Sequence, residues 1–106
     1  MFSDEEVEVR IFLKLDKRGK WGGAHTSMDI IKKGWNIRDL GKEGLKRVDK
    51  ITKDLIRKGF ILSKPTSYGL EVSLNHKFSQ EIITIIRKYF HVEGQWSNGM
   101  TQPPQG

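Results

Sequence analysis

Residues 39–58, which read DLGKEGLKRVDKITKDLIRK, decide how the rest of the chain is interpreted. At the helical step of about 100° per residue, the side chains on one side form an apolar stripe: Leu45, Val48, Ile51, Thr52, Leu55 and Ile56. The opposite side carries a line of cations spaced by four, three and four residues: Lys46, Lys50, Lys53 and Arg57. The stretch predicts a helix with one side packed on a core and the other side positively charged.

The cationic side of this helix has a structural explanation as well as a functional one. Lysines on the outer side of a helix are in many proteins only its solvent-facing side. Asp49 with Lys53, and Asp54 with Lys58, also have the i,i+4 spacing that stabilises a helix by about 0.2–0.5 kcal/mol per pair. The elements on either side of this helix are therefore needed to distinguish a solvated face from a binding surface.

The chain as a whole is basic. Its 106 residues contain 19 Lys and Arg against 13 Asp and Glu, a formal charge of +6, which favours a polyanionic partner such as nucleic acid. The length predicts one domain, and the absence of cysteine excludes disulfides and thiolate-bound metals. The first residues are acidic, and the chain has neither a signal-peptide pattern nor an apolar run of membrane-spanning length. We therefore expect a soluble, cytoplasmic protein without a membrane segment.

The residues before the basic helix predict two further helices. Ser3 and Glu6 have the spacing of a capping box, which predicts a first helix over residues 4–17. A glycine-rich loop follows, and a short second helix is predicted over residues 28–33. In the turn that leads into the basic helix, Trp35 and Ile37 are expected to fill the core.

The residues after the basic helix predict a β-hairpin and a last helix. The apolar residues at 60–62 and the alternating pattern of 70–74 indicate two strands joined by a turn that ends at Gly69. The following helix has an apolar side wider than the roughly 100° stripe of a one-sided helix, which predicts a dimer interface. Its residues are Ile82, Ile83, Ile86, Tyr89 and Phe90. Alternatively, a small domain buries this helix deeply between the first helix and the hairpin.

The order of helix, short helix, turn, basic helix, hairpin and helix resembles a winged helix-turn-helix domain. The most telling piece is DLIRKGFILSKPTSYGLEVSLN, residues 54–75. Within it, the end of a recognition helix and the first wing strand are matched by Leu55, Ile56, Gly59, Phe60 and Ile61, and the wing tip by residues 64–69. The resemblance covers about residues 4–90 and is strongest to small stand-alone archaeal members. It implies an α+β fold with three helices, a wing and a C-terminal helix in residues 1–90, followed by a flexible tail over 91–106 in which Trp96 has no assigned role.

By this resemblance, the basic helix enters a major groove and the wing contacts an adjacent groove or phosphates. The implied contact residues on the helix are Lys42, Lys46, Arg47, Lys50, Lys53 and Arg57, and those on the wing are Lys64, Thr66, Ser67 and Tyr68. The exposed helix face is mostly lysine and has no Asn or Gln. It is therefore suited to phosphates better than to base edges.

Three functions follow as hypotheses. The first is binding of double-stranded DNA by a homodimer, as a transcriptional regulator or a low-specificity chromatin-associated protein. The second is binding of structured RNA, ribosomal RNA included, with Trp21, Trp35 and Tyr68 available to stack on bases if they are exposed. The third is a protein-interaction adaptor that uses the last helix.

An enzyme is not expected. His25, His76 and His91 are scattered, and the chain has no HExxH, GxSxG or P-loop motif. The sequence therefore predicts no catalytic residues, no metal site and no cofactor.

Overall fold

The computed structural model describes residues 1–91, which form an α+β fold as predicted. Its helices are α1 (Asp4–Lys17), α2 (Met28–Ile31), α3 (Ile37–Leu40), α4 (Leu45–Arg57) and α5 (Ser79–His91). The strands β1 (Thr26–Ser27), β2 (Ile61–Thr66) and β3 (Gly69–Leu74) form an antiparallel sheet in the order β1-β3-β2. No helix in this part of the chain is both long and apolar enough to cross a membrane. Most of the predicted tail, with Trp96, lies outside the described residues, and His91 belongs to α5.

Helix α1 has the bounds that its capping signal predicts. The Ser3 hydroxyl accepts a hydrogen bond from the Glu6 amide at 3.1 Å, which satisfies one of the free amides of the first turn. The apolar residues of α1 are buried, and the helix contacts α2, α4, α5 and β3. Because four elements pack on it, α1 is the central element of the core.

The long basic helix predicted over residues 39–58 is wrong in its first part. The helical conformation ends at Leu40, and Gly41 and Gly44 take positive φ angles of 80° and 57° before α4 begins. Such angles are costly for residues with a side chain and readily adopted by glycine, so the two glycines separate α3 from α4. Lys42 consequently lies in a loop and not on the basic helix.

Two smaller corrections concern the turn before α3. Helix α2 ends at Ile31, earlier than predicted. Trp35 packs partly against the core as expected, whereas Ile37 is 56% exposed and does not fill the core. Ile37 is the first residue of the short helix α3, where Asn36 provides the cap by accepting a hydrogen bond from the Arg38 amide at 3.1 Å.

The predicted hairpin is confirmed. Strands β2 and β3 pair from Ile61 opposite Leu74 to Thr66 opposite Gly69, so only two residues form the turn. The short strand β1, which has no recognisable sequence pattern, pairs with the other edge of β3 through Thr26 and Val72. Strand β3 is thereby paired on both sides, while the residues toward the tip of the hairpin are largely exposed.

Helix α5 is buried against α1, which agrees with the deep burial kept as the alternative to a dimer interface. Ile82 and Ile86 are 0% and 5% exposed and belong to the same apolar cluster as α1. Both side chains are buried within the monomer because α5 lies against α1. Their assignment to a dimer interface is therefore wrong. The other three predicted interface residues, Ile83, Tyr89 and Phe90, are half-buried and keep part of their surface exposed.

The position of Ile82 predicts a loss of stability on truncation. Ile82→Ala should lower the free energy of unfolding by about 2–5 kcal/mol because it leaves a cavity in a packed core, whereas the exposed Thr84→Ala should change it by less than about 0.5 kcal/mol. Urea denaturation at several protein concentrations measures both. An Ile82→Ala chain with native stability but a changed oligomeric state would show that this residue belongs to an intermolecular contact.

Candidate nucleic-acid interface

The apolar side of α4 is packed on the core as its pattern predicts, except at its first residue, Leu45, which is 38% exposed. Val48, Ile51 and Leu55 are buried, and α4 contacts α1, α3 and β2. The hydroxyl of the buried Thr52 donates a hydrogen bond to the Val48 carbonyl at 2.8 Å, so this polar atom is satisfied. The opposite side carries four exposed cations, here called the α4 ridge: Lys46, Lys50, Lys53 and Arg57.

Two aspartates neutralise the C-terminal half of the α4 ridge. Lys53 Nζ lies 3.2 Å from Asp49 Oδ2, and Asp54 pairs with both Arg57 and Lys58. The two i,i+4 pairs predicted from the sequence are thus present. A phosphate that binds to Lys53 or Arg57 has to compete with an aspartate that is already in place.

The aspartates of these pairs stay ionised at neutral pH. The Lys58 ammonium and then the Arg57 guanidinium hold the pKa of the Asp54 carboxyl below its usual range. For Asp49, burial raises the pKa, but the hydrogen bond from Lys53 and the charge of Lys32 outweigh this effect, and the pKa falls below its usual value. Lys32 Nζ, beyond the end of α2, lies 3.5 Å from Asp49 Oδ1.

Arg47 does not lie on the exposed face as predicted. Its side chain is only 12% exposed, and its Nη2 and Nε atoms donate hydrogen bonds to Asp4 Oδ1 at 2.7 and 3.2 Å. The reason is that Arg47 points toward the N-terminus of α1, where the first turn is acidic. Arg47 therefore joins two helices.

A groove of about 250 Å³ lies beside the α4 ridge and contains charges of both signs. Its acidic lining residues are Asp4, Glu8, Glu43 and Asp54, and its basic ones are Arg47, Lys50 and Arg57. Burial raises the pKa of the Glu8 carboxyl, an effect that the nearby Lys58 partly opposes. The four carboxyl groups make this groove a poor phosphate site.

Two exposed cations of α4, Lys46 and Lys50, differ from the others in having no described ion-pair partner. In the described part of the chain, neither forms an ion pair, and Lys46 does not line the mixed-charge groove. Lys42, in the preceding loop, is exposed as well. The N-terminal half of the ridge is thus the part that best suits a polyanion, and Lys46 suits it better than Lys50, which also lines the groove with the four carboxyl groups.

The hairpin tip presents one large aromatic side chain to solvent. Tyr68 is 99% exposed, and Lys64 and Ser67 are exposed too. Thr66 stabilises the turn: its hydroxyl donates a hydrogen bond to the Gly69 carbonyl at 2.7 Å and accepts one from the Tyr68 amide at 3.2 Å. No described hydrogen bond or ion pair connects these tip residues with the α4 ridge, so each surface is positioned by the fold alone.

The two described tryptophans are engaged in the fold. The Trp21 indole N–H donates to Asp16 Oδ1 at 3.1 Å, and its ring stacks on His76 with 5.5 Å between ring centroids. The Trp35 indole N–H donates to the Ile31 carbonyl at 2.6 Å. Of the three aromatic residues considered for base stacking, Tyr68 is the one with an exposed ring.

Comparison of the chain with protein-family models, with curated proteins and with solved structures gives no significant match. Within residues 1–91, no group of three or more His, Cys, Asp and Glu residues could hold a metal ion. The exposed charges of α4 and the hairpin are therefore the features that bear on function.

The contact between Arg47 and Asp4 predicts that Arg47 acts on stability. Arg47→Gln should lower the free energy of unfolding by about 1–2 kcal/mol, because it removes the largely buried guanidinium together with its hydrogen bonds to the Asp4 carboxylate. Lys46→Gln, one position away, should change it by less than about 0.5 kcal/mol. A double-mutant cycle with Asp4→Asn measures the coupling by urea denaturation. Equal stability of the Arg47→Gln and Lys46→Gln variants would show that Arg47 is not held by Asp4.

Proposed function

We propose that the chain is a winged helix-turn-helix protein that binds double-stranded DNA as a homodimer, as a transcriptional regulator or a low-specificity chromatin-associated protein. The order of elements supports this fold: α1, β1, two short helices, the basic helix α4, and a hairpin in a sheet of order β1-β3-β2. In this proposal, α4 is the recognition helix and the β2–β3 hairpin is the wing.

The observation that carries the proposal is the position of Lys46 and Lys50. Both are exposed, both lack an ion-pair partner among the described residues, and the opposite side of their helix is fixed in the core. Held in this way, the two ammonium groups are presented together to solvent. A polyanion gains from this arrangement because each neutralised phosphate releases condensed counterions.

The type of cation favours binding with low sequence specificity. With Arg47 held by Asp4 and Arg57 by Asp54, the described cations of α4 that remain unpaired are lysines. A lysine ammonium binds phosphate as a point charge and lacks the planar fork with which arginine reads guanine. Contacts to phosphates are thus expected to dominate the affinity.

The proposed homodimer interface is the apolar surface of α5 that remains exposed in the monomer. Ile83, Tyr89 and Phe90 are half-buried in the monomer and offer apolar surface to a second copy. Since Ile82 and Ile86 are buried in the core, the exposed apolar surface of α5 is smaller than the sequence predicts. The smaller apolar surface of α5 also weakens the hypothesis of a protein-interaction adaptor.

The exposed Tyr68 ring supports structured RNA as a second candidate ligand. An aromatic ring that is almost fully exposed at a hairpin tip can stack on an unpaired base, a contact that a continuous DNA duplex does not offer. Lysine-rich surfaces also bind the phosphates of A-form helices. The two ligands are therefore compared in the same experiment.

Binding to a random-sequence DNA duplex should depend on salt and on the two free lysines. For Lys46→Gln/Lys50→Gln, the slope of log affinity against log salt should be less steep by about 1.8, since each lost phosphate contact on B-DNA removes about 0.9. Fluorescence anisotropy over a salt series measures the slope.

The matched control is Arg87→Gln/Lys88→Gln, which removes the same charge from exposed positions of α5. It should leave the slope nearly unchanged. Equal slopes for the two double variants would mean that no specific phosphate site exists on α4. Tighter binding of a structured RNA than of the duplex at equal salt, lost on Tyr68→Ala, would replace DNA by RNA as the ligand.

A further inference from the structure

A cleft of about 320 Å³ lies between α1 and the segment that joins α2 to α3. Its apolar wall is formed by Phe2, Leu13 and Trp35. The volume is within the lower part of the range found for small-molecule sites, about 300–1,000 Å³. Neither the α4 ridge nor the hairpin contributes a lining residue, so this is a separate surface.

The cleft is rich in cations that lack a carboxylate partner. Lys14, Lys17 and Arg18 line it, and none of them forms an ion pair with any residue that the structure describes. A single acid, Asp39, is among the lining residues. The charge of the cleft is therefore strongly positive.

The fourth cation of the cleft, Arg10, is already compensated. Its Nη2 atom lies 3.0 Å from Glu6 Oε2, and its guanidinium stands over the rings of Phe2 and Phe90 at 4.5 and 5.5 Å from their centroids. These contacts fix Arg10 as part of the wall. Lys14, Lys17 and Arg18 thus provide the uncompensated charge.

Two of these cations are held in place by hydrogen bonds. Lys14 Nζ donates to the Lys33 carbonyl at 2.7 Å and lies 5.4 Å from the centre of the Trp35 ring. Arg18 Nη1 donates to the Lys14 carbonyl at 3.2 Å. Burial first, and then the charges of Arg18, Arg10 and Lys17, lower the pKa of the Lys14 ammonium. The cations repel one another, and an anion bound among them would relieve this repulsion.

We infer that this cleft binds a small organic anion, whose carboxylate or phosphate contacts Lys17 and Arg18 and whose apolar part lies against Leu13 and Trp35. The concave shape and the limited volume fit a single ring with one anionic group better than the extended backbone of a nucleic acid. Charge-assisted hydrogen bonds would hold the head group, and burial of the ring would add to the affinity. The site is independent of the proposed DNA binding.

The inference is tested with phenyl phosphate and benzoate as probes. Each is compared with two fragments, its head group alone (inorganic phosphate or acetate) and phenol as a ring without an anionic group. Titration calorimetry on the full chain should show that one of the two aromatic anions binds with a Kd below about 10 mM and more tightly than either of its fragments. Whichever of the two binds more tightly identifies the head group as phosphate or carboxylate. In NMR titrations, the Trp35 indole N–H signal, assigned with Trp35→Phe, should shift more than that of Trp21.

The matched variants separate a built site from general positive charge. Lys17→Gln/Arg18→Gln should weaken binding of the preferred probe about tenfold or more, while Arg87→Gln/Lys88→Gln, with the same change of charge outside the cleft, should weaken it less than about twofold. Thermal unfolding of Lys17→Gln/Arg18→Gln shows whether this variant is folded. If it is not, the single variant Lys17→Gln takes its place in the comparison. No binding of either probe, equal loss in both double variants, or a shift confined to Trp21 would overturn the inference.

Discussion

Burial of the apolar side of α4 against α1 and β2 is the constraint on which the rest of the structure depends. Val48, Ile51 and Leu55 can leave water only if the helix keeps one rotation about its axis, and that rotation directs Lys46 and Lys50 outward. Rotating the lysines inward would place unpaired ammonium groups in a core, which is far more costly than exposing them. The same packing positions the hairpin, because β2 starts four residues after α4 ends.

The acidic residues of the chain both stabilise this arrangement and limit its charged surface. Asp4 holds Arg47 between α1 and α4, and Asp49 and Asp54 compensate the C-terminal half of the α4 ridge. The ridge is therefore partly a solvated face stabilised by i,i+4 pairs and partly an open cationic surface at Lys46 and Lys50. The explanation as a solvated face thus applies to the C-terminal half of the helix, and a functional role is proposed only for the N-terminal half.

Local signals predicted the elements well, whereas contacts between distant residues could not be predicted. The cap at Ser3 and the alternation in residues 70–74 lie within a few residues of the structure that they specify, and α1 has the expected bounds. The hairpin is present as expected, but its first strand continues to Thr66 and its turn is shorter than predicted. By contrast, Arg47 meets Asp4 from 43 positions away, and nothing in its neighbourhood indicates that partner. The cleft had a signal that was overlooked: Arg10, Lys14 and Lys17 share one side of α1, but their positions late in the helix also suit its dipole.

Mapping the surface that contacts nucleic acid tests most directly whether the outward side of α4 is a binding surface. In NMR titration of the full chain with a random-sequence DNA duplex, we expect the backbone amide signals of Lys46, Lys50 and the hairpin tip around Tyr68 to shift, and those of Arg87 and Lys88 to stay unchanged. Shifts restricted to α5 or to the cleft beside Trp35, with α4 and the hairpin unaffected, would show that the outward side of α4 is not the binding surface.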